Sequence, residues 1–122
     1  MDVELVPTAE TLRFGGNEYE IVFDDEGIDR AAVAFDELAL AMPEADDGEK
    51  LAAAMERFVT AIAGAECWEA AVSTVDSTGA GASKCASALV PLVTAIEGMC
   101  ARHVIPVRQE HIRRYLGTQE AV

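Results

Sequence analysis

From Ile28 onwards the apolar residues of this chain return with the period of an α-helix, and a few prolines and glycines cut that pattern into lengths that suit a helical bundle. The first stripe is Ile28, Ala31, Ala32, Phe35, Leu38, Ala39 and Met42, ended by Pro43. Asp24, Asp25 and Glu26 precede it, where carboxylates meet the orphan N–H groups and positive pole of a helix start. A second stripe, Leu51, Met55, Phe58, Ile62 and Ala65, follows Asp46 and Glu49, whose spacing is that of a capping box. Gly64 stands between that stripe and Trp68, Ala71, Val72 and Val75, and predicts a break or kink.

Residues 77–83 are small and glycine-rich and form a loop. After it Leu89, Leu92, Val93, Ile96, Met99, Cys100 and His103 trace one face of a further helix, in which Pro91 predicts either a kink or a new first turn. Pro106 sets off a last segment with the weaker stripe Val107, Ile112, Tyr115 and Leu116, closed by Gly117.

Ahead of the helices, residues 11–23 alternate apolar and polar on both sides of Gly15-Gly16-Asn17, a hairpin signature. A two-residue turn at Gly16 and Asn17 sets Phe14 opposite Tyr19 and Leu12 opposite Ile21, with all four side chains on one face. A lone hairpin is marginal in water, so that face must lie on helices or be extended by another chain's strand. The expected fold is mainly α: an N-terminal β-hairpin at 11–23, then a bundle of four to five helices over 25–116, in one domain of 122 residues.

Charge is distributed unevenly. Residues 1–50 hold fifteen acids against three bases, whereas residues 51–122 hold seven against six, so nearly all of the net −13 lies in the first half. Arg102, His103, Arg108, His111, Arg113 and Arg114 gather near the other end, and ends of opposite sign favour head-to-tail contact between copies. The bland alternative is a solvated charged surface with no partner. The acidity argues against nucleic acid and anionic membrane as partners, since a phosphate-tracking surface needs clustered Lys and Arg. No apolar run approaches the roughly 18 residues of a membrane span, and the N-terminus lacks a basic start and apolar signal core, which predicts a cytoplasmic chain.

No motif for chemistry survives inspection. Gly79, Gly81 and Lys84 have neither phosphate-loop spacing nor a dinucleotide fingerprint. In a calcium loop with Gly27 or Gly48 at its sixth position, Val22 or Pro43 falls at the first, where an oxygen ligand is required. His103 and His111 lie eight apart across a proline, and Cys67, Cys85 and Cys100 are too widely spaced for a zinc site. The three cysteines read as reduced core residues, His103 as a hydrogen-bonded and partly buried one, and Trp68 as a core anchor or an interface hot spot, core being favoured. No cofactor, metal or catalytic residue is expected.

The stretch Leu12-Arg13-Phe14-Gly15-Gly16-Asn17-Glu18-Tyr19-Glu20-Ile21-Val22-Phe23, running into an acidic cap and a helix with Ile28, Phe35 and Leu38, resembles the opening of the small tail assembly chaperones of long-tailed phages. Phe58 to Gly64 with Trp68, then Leu89 to Cys100, is similar to their helical remainder; Pro91 and the 79–81 loop depart from it. The resemblance implies a non-enzymatic phage or prophage protein of the bacterial cytoplasm. Such a protein coats and solubilises the tape measure protein, helps recruit tail tube subunits and self-associates. The sequence reading names Leu12, Phe14, Tyr19 and Ile21 of the hairpin and Arg108, Arg113 and Arg114 of the basic end as protein-interaction residues. The rivals are a small acidic regulatory or adaptor module that binds one partner, and an unfamiliar enzyme using Cys and His.

Overall fold

The computed structural model describes residues 9–76 and 78–120. Strands β1 (Ala9–Phe14) and β2 (Asn17–Val22) form an antiparallel hairpin, followed by helices α1 (Asp25–Ala41), α2 (Gly48–Ala63), α3 (Ala65–Val75) and α4 (Ala86–Glu120). A short 3-10 turn at Met42–Glu44 joins α1 to α2. The protein is thus mainly helical behind an N-terminal hairpin, as the periodicities predict.

The hairpin turn is Gly15-Gly16, not Gly16-Asn17: both glycines have positive φ, 54° and 79°, the pair of values a type I′ hairpin turn requires and glycine adopts without strain. Leu12 therefore pairs with Tyr19, Glu10 with Ile21 and Phe14 with Asn17. Moving the turn by one residue moves each pairing by two along the partner strand, so the predicted common face survives. Leu12 and Ile21 on it are buried, and Phe14 stacks on its diagonal neighbour Tyr19 with ring centroids 5.4 Å apart. The face lies on the chain's own helices, where Leu12, Ile21 and Phe23 join the core of Met55, Phe58, Ile96 and Cys100.

Asp24 caps α1, accepting from the Gly27 N–H at 2.8 Å. The buried line of α1 is Ala31, Ala34 and Leu38, while the expected Ala39 and Met42 face solvent. Residues 31–35 are all apolar, so the pattern alone could not choose the side that packs. For α2 the cap is Asp47, which accepts from Lys50 N–H at 2.8 Å, rather than Asp46, which pairs with the Lys50 ammonium at 3.0 Å. Capping at Asp47 puts Gly48 in the first turn, tight against the Ser83 carbonyl, where any side chain would collide. Gly64 breaks the chain between α2 and α3 at φ 97°, as predicted, although Ala65 opens α3 on an exposed position. Trp68 is a core residue, 4% exposed.

The main correction concerns α4. One helix runs through both Pro91 and Pro106 and past Gly117 to Glu120, where a separate last segment was expected. Each proline deprives the carbonyl four residues earlier, Ser87 or Arg102, of its helical donor. All four residues are exposed, so water can serve those carbonyls, and the packed face of Leu89, Val93, Ile96 and Val104 holds the helix together. By length and composition Ala86–Arg114 could also cross a membrane, contrary to the expectation that no stretch comes close; in this fold its apolar face is core. The side chains of His111, Tyr115 and Leu116 lie outside the described set, as do Ser77 and residues 1–8.

Two glycines respond oppositely to a methyl group. A Cβ on Gly27 would overlap the Val22 carbonyl oxygen, while one on Gly98 would meet only the Arg102 guanidinium at 3.7 Å. Gly98→Ala is expected to stabilise by about 1 kcal/mol through helix propensity. Gly27→Ala is expected to destabilise by about 1–3 kcal/mol through overpacking. Urea midpoints of the two variants provide the check.

Candidate interaction surfaces

An apolar groove of about 310 Å³ opens between β1, α3 and the first turns of α4. Leu12 and Phe14 form one wall, Ala71, Thr74 and Val75 the second, and Leu89, Pro91, Leu92 and Ala95 the third. Among the described residues, its one charged lining residue, Arg13, is paired across the hairpin with Glu18 at 2.9 Å. The groove exists because Gly15 and Gly16 end β1 abruptly above Thr74 and because the exposed side of α4 from Ala86 to Ile96 carries no charge. A void of about 30 Å³ between α1 and α2 has room for little more than a water.

The predicted interaction residues divide. Leu12 and Ile21 are buried in the chain's own core, whereas Phe14 and Tyr19 are half-buried, Phe14 in the groove wall. Arg108 donates to Asp36 of α1 at 2.8 Å, and Arg113 and Arg114 lie 3.7 Å and 3.0 Å from Glu110 on their own helix. The basic end and the acidic front thus meet inside one chain, through Arg108 and Asp36 and again through Arg102 and Glu10. Sequence reasoning saw both charge clusters but had no signal for which acid each arginine would reach.

Beneath that second pair is a part-buried polar cluster. His103 is 7% exposed, stacks on Phe23 with ring centroids 4.0 Å apart and 4° between planes, and shares a 2.7 Å hydrogen bond through Nε2 with Glu10. Desolvation works to raise the Glu10 pKa, but the hydrogen bonds and charges of Arg102 and His103 outweigh it and hold the carboxyl below the usual range. This cluster ties β1 to α4 across 93 residues of chain. His103 is thereby hydrogen-bonded and buried, as its place on the apolar stripe implied.

The other groups considered for chemistry are occupied structurally. The N–H groups of Ala80 and Gly81 donate to the Asp76 carboxylate at 2.9 and 2.8 Å, so the glycine loop wraps an acid of its own chain. Burial pushes the Cys67 thiol up to about 11, and burial with the nearby Glu97 pushes Cys100 to about 12, which suppresses the nucleophilic thiolate. Among the described residues no group of three or more His, Cys, Asp or Glu side chains could hold a metal ion.

Comparison of the chain with protein-family models, with curated proteins and with solved structures found no match in any of the three.

Proposed function

We propose that this chain is a non-enzymatic binding protein for another polypeptide, an assembly chaperone that also associates with its own copies. The observation that carries this reading is the open groove between the hairpin, α3 and α4. Small-molecule sites pair an apolar wall with a few convergent polar groups. Here, among the described residues, Thr74 and the Glu18-paired Arg13 are the polar lining, a chemistry suited to apolar side chains presented by an amphipathic helix. The sequence resemblance to phage tail assembly chaperones supplies the specific client: the long helical tape measure protein, with tail tube subunits recruited to the same complex in the host cytoplasm. No nucleic acid, membrane or cofactor enters this reading.

One observation favours the adaptor alternative. Arg102 and Arg108 already meet Glu10 and Asp36 within the chain, which weakens the drive for opposite ends of different copies to join. The test is co-expression with a tape measure protein that aggregates alone, reading its soluble fraction and the native mass of the complex. The wild type should keep the client soluble. Ala95→Arg, which fills the groove from an exposed position without touching the core, should fail; equal solubility with that variant refutes the groove as the client site. A fixed one-to-one complex without self-association favours the adaptor.

A further inference from the structure

Away from the groove, the outer face shared by α1 and α4 exposes four large apolar side chains among the described residues: Val33 58%, Leu40 77%, Ile105 44% and Ile112 59%. Val33 lies three residues before Asp36 and Leu40 four after it, so each sits one helical turn from that carboxylate. Ile105 and Ile112 stand in the same relation to Arg108. Arg108 bonds Asp36 across the two helices at 2.8 Å, both side chains about half exposed. The face therefore has an ion pair at its centre and apolar residues on both flanks.

We infer that a second copy of the chain docks on this face, about a twofold axis near the Asp36–Arg108 pair, with Asp36 of each copy facing Arg108 of the other. The inference rests on the self-association in the proposed function and names its surface. Charge selects the occupant. A twofold contact sets a patch against itself, so the patch must be self-complementary. In a chain of net charge −13, whose first fifty residues hold fifteen acids and three bases, an outer face of α1 alone would repel its own copy. Arg108, brought from the second half of the chain onto that face, turns it into a surface with one acid and one base at its centre. Exchanging the pair within a chain for two pairs across the axis conserves the number of ion pairs. The association then gains the burial of Val33, Leu40, Ile105 and Ile112.

Sedimentation velocity on the full-length chain and its variants tests this, with far-UV circular dichroism to confirm that each folds. The wild type should sediment as two chains at high concentration. Asp36→Arg and Arg108→Asp should each sediment as one chain, and their equimolar mixture should recover the two-chain species, because the reversed faces are then opposite in sign. An ion pair confined within one chain cannot produce that recovery. The double variant Leu40→Glu with Ile112→Glu should remain single. A mixture that stays single, or a double variant that keeps the wild-type mass, overturns this face as the interface while self-association stands. A wild type that is single at every concentration overturns the self-association reading as well.

Discussion

Ile96→Ala should lower the free energy of unfolding by about 2–5 kcal/mol, the usual cost of a large-to-small change in a closed core. Ile96 is fully buried, midway along the stretch of α4 that packs on the other helices, and collapse around the missing atoms is limited by neighbours such as Val93, Met99 and Cys100 on the same face. Ile112 is the same residue type on the same helix, yet it is 59% exposed. Ile112→Ala is expected to move stability by less than about 0.5 kcal/mol in solution dilute enough for single chains to prevail. Urea unfolding of the two variants reads the difference directly, and equal losses would place the last turns of α4 in the core.

That contrast marks where the sequence was informative. Periodicity found Leu89, Val93, Ile96, Met99, Cys100 and His103 correctly, because there one apolar stripe is set off by exposed small or polar residues such as Ser87, Thr94, Ala95 and Arg102. It placed a boundary at Pro106 because a proline removes a helical hydrogen bond, a local cost of about 3 kcal/mol. The boundary is absent because Pro106 and the carbonyl it leaves behind lie on the wet side, and tertiary packing of the other side outweighs a local penalty. The caps show the same limit. The spacing of Asp46 and Glu49 favours Asp46 as the cap, yet Asp47 takes the role, with Gly48 against the Ser83 carbonyl, a contact between segments 35 residues apart that no local pattern reveals.

The candidate surfaces were legible only in their ingredients. The alternating hairpin announced an apolar face, but whether it would be core or contact depends on the helices beneath it, and they cover Leu12 and Ile21 while leaving Phe14 on an open groove. The acidic front and basic tail were visible as totals. Their closure on each other through Asp36 and Arg108 depends on the course of α4 alongside α1, which a continuous helix through Pro106 makes possible.

Glu10 is the residue whose loss should expose how the hairpin is held. Glu10→Ala removes the hydrogen-bond partner of the buried His103 ring, and an orphaned buried polar group costs about 1–3 kcal/mol. The wild type should also be acid-sensitive in a defined direction. Arg102 and His103 hold the folded Glu10 pKa below its ordinary value of 4.5, so the folded state favours the carboxylate. Its contribution is complete above that ordinary value and is lost as the pH falls through the depressed folded value. Glu10→Gln keeps the shape and removes the titration. Its stability should therefore fall less steeply than that of the wild type as the pH drops below about 4.5, in urea unfolding repeated across that range. Parallel pH profiles for the two would mean that the carboxylate does not hold β1 to α4 as a charged group, and that the junction rests on apolar packing such as that of Leu12 in the core.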